Sequence, residues 1–160
     1  MSVSVPSSAK AKKIRVMVVD DSIVARNLLI TGLSAHPLIE VAGYAVNALD
    51  AKNKLARLKP DVMTLDVEMP GESGLDLLKE LLPTHPIPVI LVSSLNLRVF
   101  DALAAGAVDF VRKPEANQSR DAFLATLAQK IVVASHARVH PASAGARQPQ
   151  PTGPLPTIPL

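Results

Sequence analysis

The sequence predicts an α/β fold: a doubly wound, five-stranded parallel sheet with helices on both faces. Five short apolar runs rich in Val and Ile are spaced along the chain, and helical patterns lie between them. Parallel strands need long right-handed crossovers, which place helices on both faces of the sheet. Several of the runs end directly on a polar or charged residue. Those residues would gather at the carboxyl edge of the sheet, where open α/β folds bind ligands.

The five predicted strands are short apolar runs rich in Val and Ile, without the regular alternation that leaves one face polar. Continuous runs are typical of strands buried on both faces. Only four of the 160 residues are aromatic, so we expect an aliphatic core. The predicted strands cover residues 14–19, 39–45, 61–65, 88–93 and 108–111.

Capping residues and prolines bound the first three predicted helices. Ser22, Asn47 and Ser73 each precede a helical pattern and suit an N-cap. After Ser22, apolar residues recur four apart, as they do on one face of a helix. The second helix is predicted to end before Lys59-Pro60, and the third to run to Leu82, where Pro83 stops it.

Two further helices are predicted in the second half of the chain. The fourth spans roughly residues 97–105 and ends at Gly106. The fifth spans roughly residues 118–134, with an apolar stripe formed by Phe123, Leu127 and Ile131.

The two ends of the chain differ in composition from the middle. Residues 1–13 form a predicted flexible basic arm, and residues 136–160 a proline-rich linker or disordered tail. Five of the 17 basic residues lie in these ends, so 12 basic and 14 acidic groups remain in the predicted domain of residues 14–135. The net charge of +3 therefore comes from the ends, and we expect no nucleic-acid partner.

The composition also bears on location. No apolar stretch is long enough to cross a bilayer, and the N-terminus lacks the apolar segment of a signal peptide. Cysteine is absent, which excludes disulfides and thiolate metal sites. We therefore expect a cytoplasmic protein without membrane insertion.

Polar residues at four predicted strand ends indicate a metal and phosphate site. Asp20-Asp21 follows the first strand, Asp66 the third, Ser93 ends the fourth and Lys113 follows the fifth. Three carboxylates brought within a few Å would repel strongly unless a divalent cation lay between them. Oxygen ligands without His or Cys favour a hard ion such as Mg²⁺.

Four motifs resemble those of a known family. VVDDS, TLDVEMP, ILVSSL and GAVDFVRKP are similar to the phosphoacceptor receiver domain of two-component response regulators, over residues 14–134. Their combination most resembles the receiver of chemotaxis protein-glutamate methylesterases, and the tail resembles that family's interdomain linker. The resemblance implies the flavodoxin-like strand order 2-1-3-4-5.

The resemblance also implies roles for individual residues. Asp66 would accept a phosphoryl group from a sensor histidine kinase of the chemotaxis type. Asp21, Asp66 and the backbone carbonyl of Glu68 would bind Mg²⁺ directly, and Asp20 through water. Lys113 would balance the phosphoryl charge, Ser93 would donate its hydroxyl to it, and Phe110 would turn inward as a switch. The output surface for an effector would be the fourth helix, fifth strand and fifth helix.

Each assignment has a plainer alternative. The two N-terminal acids of the site could cap a helix, Asp66 could be a loop acid, and Lys113 could be a solvated charge. Ser94 could take the role of Ser93, or both could satisfy turn amides. Phe110 could belong only to the core, and the side chain of Glu68 is expected to lie solvated at the rim.

Three functions remain open from the sequence. The first is the regulatory receiver of a chemotaxis methylesterase, whose unphosphorylated form covers the esterase site. The second is a stand-alone receiver that binds a protein partner or acts as a phosphate sink. The third is a phosphohydrolase of the haloacid dehalogenase type, although there the nucleophile lies on the first strand. No Gly-x-Ser-x-Gly-like segment is present, so we expect no enzyme activity from this chain beyond self-catalysed phosphorylation and dephosphorylation.

Overall fold

The computed structural model of the protein describes residues 13–69, 71–94, 103 and 105–136. Its elements are β1 (Ile14–Val19), α1 (Ile23–Ser34), β2 (Ile39–Ala45), α2 (Ala48–Leu58), β3 (Val62–Asp66), α3 (Gly74–Leu81), β4 (Val89–Ser93), β5 (Asp109–Arg112) and α4 (Arg120–Ala134). Most of the helix predicted over 97–105, the arm except residue 13, and the tail from residue 137 lie outside the described residues.

The five strands form one parallel sheet in the order β2-β1-β3-β4-β5. This confirms the predicted fold class and strand order. The central strand β3 is buried along its whole length and pairs with β1 on one side and β4 on the other. The chain therefore reverses its winding direction beside β1 and β3, where an open α/β sheet forms a crevice at its carboxyl edge.

Two apolar layers cover the sheet, as the continuous strand runs predicted. On one face α2 and α3 pack against side chains such as Met17, Met63 and Leu91. On the other face α1 and α4 pack against side chains such as Val18 and Ile90. Neighbouring residues of one strand point into opposite layers, so the fully buried strands β3 and β4 need nearly unbroken apolar runs. The prediction of full burial was wrong for β2 and β5, because these strands form the two edges of the sheet and are partly exposed.

Side-chain caps begin every described helix. Ser22, Asn47 and Ser73 accept from the backbone N–H three residues ahead, as predicted. The last helix begins two residues later than predicted, because Ser119 is its N-cap. The third helix ends one residue early at Leu81, and several strand limits shift by one residue. No helix in the described part of the chain combines the length and apolarity needed to span a membrane.

Candidate functional site

Three carboxylates meet at the carboxyl edge of the sheet. Asp20 directly follows β1, and Asp66 is the last residue of β3. The two strands are neighbours with Val19 opposite Leu65, so the acids emerge side by side. One oxygen from each of Asp20, Asp21 and Asp66 lies within 4.8 Å of the others. Asp20 and Asp66 are buried, whereas Asp21 is exposed and faces the mouth of the cluster.

Lys113 lies in the loop after β5 and reaches into the same cluster. Its Nζ lies 3.1 Å from Asp20 Oδ2 and 3.4 Å from Asp66 Oδ1. Its backbone N–H donates to the carbonyl of Ser93 at 2.8 Å, which ties this loop to the end of β4. Burial alone would lower the pKa of this ammonium group, but the charges of Asp20 and Asp66 outweigh burial and raise the pKa. Lys113 therefore stays cationic.

Asp66 is the most perturbed carboxylate of the site. Burial and then the charge of Asp20 raise the pKa of Asp66 to about 7, although Lys113 opposes both effects. Two unit charges about 4 Å apart repel by about 4 kcal/mol at an effective dielectric of about 20. One lysine does not neutralise three acids, so the cluster favours a further positive charge.

Hydrogen bonds to both the side chain and the backbone of Asp20 hold this residue in place. Its Oδ1 accepts from the N–H of Ser22 at 2.9 Å, and its carbonyl accepts from the Arg26 guanidinium at 3.0 Å. Its own N–H donates to the carbonyl of Ala45 on β2 at 3.1 Å. The second carboxylate oxygen, Oδ2, is buried and pairs with the Lys113 ammonium group at 3.1 Å. Asp20 is thus fixed in place with one of its oxygens beside the base of the cluster.

The donor set fits a hard divalent cation. Asp20, Asp21 and Asp66 offer only carboxylate oxygens, and one oxygen from each lies close enough to the others to share one ion. Such oxygens are the ligands of Mg²⁺ and Ca²⁺, and they exclude the softer ions that prefer thiolates or imidazoles. Asp21 keeps one side of the cluster open to solvent, where metal-bound water could lie.

Glu68 is the residue whose surroundings differ most from the prediction. A solvated rim position was expected, but its carboxylate accepts from the hydroxyl of Ser93 and from both the N–H and the hydroxyl of Ser94. Burial would raise the pKa of Glu68, but these hydrogen bonds outweigh burial and lower it. The rim expectation was wrong because the carboxylate gains three donors by folding back over the end of β4.

The two serines occupy different positions. Ser93 ends β4 and is fully buried, whereas Ser94 follows it and is exposed. The backbone carbonyl of Ser93 also accepts the hydrogen bond from the Lys113 N–H described above. The buried hydroxyl at the strand end is therefore the better candidate for a site role.

Phe110 lies away from the carboxylates. It is in β5 opposite Leu91 of β4, and it packs half-buried against the core layer of α2 and α3. The structure thus gives it a core contact, and its predicted switching role stays a prediction.

Sequence reasoning missed two residues that support the site. Arg26 holds the carbonyl of Asp20 while its guanidinium lies over the Tyr44 ring, 4.9 Å from the centroid. Gly74 begins α3 so close to β3 that an added Cβ would lie 2.3 Å from the carbonyl oxygen of Asp66. Arg26 lies in the first turn of α1, six residues after Asp20, and this closeness in sequence could have signalled the first contact, but no local pattern signalled the second.

A family model for the response regulator receiver domain matches residues 16–124. This segment contains all the site residues described above and covers more than half of the chain. The chain belongs to the response regulator receiver family. The sequence resemblance is thereby confirmed, and the receiver takes its place among two-component signalling proteins.

Curated relatives of this receiver are chemotaxis methylesterases. It is 48% identical over 132 residues to protein-glutamate methylesterase/protein-glutamine glutaminase 2 of Syntrophomonas wolfei, covering 81% of this chain and 39% of the relative. It is 43% identical over 157 residues to protein-glutamate methylesterase/protein-glutamine glutaminase 1 of Cupriavidus metallidurans, covering 94% of this chain and 42% of the relative. The chain spans about two fifths of the length of these relatives.

Solved receiver structures share the fold. The response regulator domain of Thermotoga maritima CheB matches with a TM-score of 0.72 and 39% identity, covering 79% of this chain and 98% of that domain. The response regulator ChrA of a haem-sensing two-component system matches with a TM-score of 0.61 and 26% identity, covering 84% of this chain and 63% of ChrA. The match to an isolated receiver over nearly its full length confirms the flavodoxin-like receiver fold.

Proposed function

We propose that Asp66 is the phosphoacceptor of this receiver and that the protein is switched by its phosphorylation. The observation that carries the proposal is the convergence of Asp66, two further carboxylates and the Lys113 ammonium at one sheet edge. Structural ion pairs seldom leave three acids facing one base. A site that accepts a metal ion together with a phosphoryl group needs this imbalance.

The chemistry would be an in-line displacement at phosphorus. A carboxylate oxygen of Asp66 attacks the phosphorus atom, the bond from phosphorus to the donor imidazole nitrogen breaks, and that nitrogen keeps the electron pair. Such reactions need positioning and charge stabilisation more than covalent help from the protein. Lys113 would bind one phosphoryl oxygen as a point charge, and the Ser93 hydroxyl would donate to another.

Mg²⁺ would be held by Asp21, Asp66 and the Glu68 carbonyl, with Asp20 acting mainly through water. When bound, the ion would neutralise the carboxylates and the equatorial phosphoryl oxygens. The convergence of the carboxylates supports this assignment, because one oxygen from each of Asp20, Asp21 and Asp66 lies within 4.8 Å of the others. Arg26 would keep Asp20 in place through its backbone carbonyl.

The partners follow from the family. The phosphodonor would be a phosphohistidine on a sensor kinase of the chemotaxis type, and the output a methylesterase effector. Supporting this, the related methylesterase sequences are more than twice as long as the segment they share with this receiver. The signal would pass through Ser93 and Phe110 to the surface around β5 and the last helix, because phosphorylation adds contacts that exist only in the active state.

The test is phosphorylation by acetyl phosphate in the presence of Mg²⁺, followed by phosphate-affinity electrophoresis. Asp66→Asn should abolish labelling, because an amide does not form the acyl phosphate. Asp76→Asn is the control, because Asp76 is an acid in the first turn of α3 outside the cluster. Equal labelling of the Asp66→Asn protein and the wild type would refute the assignment.

The phosphohydrolase alternative has its own test. Continuous turnover of small phosphomonoesters by the purified chain would revive it. Neither the receiver family match nor the methylesterase relatives favour this alternative or a stand-alone role over the methylesterase-type receiver. That the chain lacks esterase activity also stays a prediction, which an assay on methylated glutamate peptides would check.

A further inference from the structure

The carboxylate of Glu68 occupies the donors at the end of β4. It accepts from the Ser93 hydroxyl, from the Ser94 N–H at 3.1 Å and from the Ser94 hydroxyl at 2.8 Å. Three donors from two adjacent residues, converging on one anion, resemble a small oxyanion site. The ligand in this structure is the protein's own side chain.

This small site lies beside the phosphoacceptor. Glu68 is two residues beyond Asp66, and its backbone N–H donates to Asp66 Oδ1 at 3.2 Å. The carbonyl of Ser93 holds the backbone of Lys113, whose Nζ contacts the same Oδ1. The donors that Glu68 occupies therefore border the space that a phosphoryl group on Asp66 would fill.

We propose that Glu68 is a positioning residue whose carboxylate stands in for the phosphoryl group while Asp66 is unmodified. It holds the Ser93 hydroxyl and the Ser94 N–H, and a phosphoryl group on Asp66 must displace it to gain those donors. This inference rests on the proposed function and adds a competing internal anion to it. Like charges side by side make simultaneous occupation unfavourable.

A purely structural role predicts something different. If Glu68 only satisfied two serine side chains, its removal would loosen the end of β4 and weaken every ligand of the site. If Glu68 competes with the phosphoryl group, its removal frees donors and strengthens anion binding. The two roles thus change anion affinity in opposite directions.

The experiment measures binding of beryllofluoride, a tetrahedral phosphoryl mimic, to the full chain by ¹⁹F NMR at saturating Mg²⁺. Glu68→Ala should raise the affinity about tenfold, because charge-assisted hydrogen bonds to Ser93 and Ser94 become available. Glu68→Gln should give a smaller increase, because its amide oxygen still accepts from the serines without a charge. Glu72→Ala is the matched control. Glu72 is an acid of the same loop, but it pairs with Lys52, so its removal should leave the affinity for beryllofluoride unchanged.

A double-mutant cycle makes the test specific. In a Ser93→Ala background the gain from Glu68→Ala should shrink to about threefold or less, because one of the freed donors is gone. Unchanged or weaker beryllofluoride binding by Glu68→Ala, or the same gain with and without Ser93, would overturn the proposal.

Failure of the broader function would look different. The Asp66→Asn protein should not bind beryllofluoride, and the wild type should. If the wild type also fails to bind, the phosphoacceptor assignment falls. If the wild type binds and the Glu68 variants match it, only the competition by Glu68 is refuted.

Discussion

Carboxylates lie at both edges of the parallel sheet, but their surroundings differ. At the amino edge, Asp61 Oδ2 accepts from the N–H of Arg15 at 2.9 Å, and the Arg15 guanidinium donates to the carbonyls of Leu58 and Lys59 at the end of α2. These charges are partly exposed, and each satisfies a backbone group. At the carboxyl edge, buried acids face one another instead.

The difference shows what each edge contributes. Hydrogen bonds from charged groups to backbone termini stabilise the fold without placing like charges together. A buried cluster of acids opposes folding until a cation or an ammonium group compensates it. The carboxyl edge therefore holds the groups proposed to bind ligands, whereas the charged groups of the amino edge satisfy backbone groups at the ends of a helix and a strand.

The largest expected effect concerns Asp66 in metal-free protein. Asp66→Asn should raise the free energy of unfolding at pH 7.5 by roughly 1–3 kcal/mol, because about 1.4 kcal/mol accompanies each unit of pKa shift. Lys113 keeps Asp20 as a partner in this variant. Urea unfolding of both proteins in the presence of a chelator measures the difference.

The pH dependence of that difference follows from the raised pKa of Asp66, about 7 in the folded state. Below about pH 4 the group is protonated in folded and unfolded chains, so its favourable contribution is fully present. That contribution is lost as pH rises to about 7, because only the unfolded chain ionises freely. The advantage of Asp66→Asn should thus grow from pH 4 to pH 8, and a flat difference would contradict the repulsion at this edge.

A smaller effect is expected from magnesium. Mg²⁺ at about ten times its dissociation constant should raise the melting temperature by roughly 3–6 °C, because it binds only the folded cluster. Differential scanning fluorimetry with Mg²⁺ against chelator checks this. Asp21→Asn should reduce the shift, and Asp61→Ala should leave it intact. An equal shift in all three proteins would mean that the ion binds elsewhere.

The smallest effect concerns the amino edge. Asp61→Ala should lower the free energy of unfolding by about 0.5–1 kcal/mol, since an exposed hydrogen bond to the Arg15 N–H is lost and water replaces part of it. The same urea assay measures this. A stabilised Asp61→Ala protein would show that the two edges do not differ in the way their surroundings indicate.

Much of the fold was predictable because its signals are local. Short apolar runs rich in Val and Ile marked the strands, and Ser22, Asn47 and Ser73 marked three helix starts. The late start of α4 was less predictable, since Gln118 and Ser119 are both polar and only the geometry selects the cap. The order of the strands came from family resemblance, because hydrophobic patterns do not say which strands are neighbours.

The site was predictable in its composition but not in its contacts. Residues at the carboxyl ends of strands in one parallel sheet must share an edge, so the sequence alone predicted that Asp20, Asp66 and Lys113 lie together. The direction of the Glu68 side chain depends on where β4 ends relative to β3, which no local pattern records. The same holds for Arg26, whose role requires β1 and α1 to be placed in space.

Gly74 sets a condition on any attempt to build this chemistry elsewhere. The start of α3 passes the carbonyl of Asp66 at a distance that leaves no room for a methyl group. A designer who transplants the acids and the lysine into another parallel sheet must therefore also transplant a bare backbone position eight residues downstream. Without it, the following helix would push the end of the strand outward and displace the proposed phosphoacceptor.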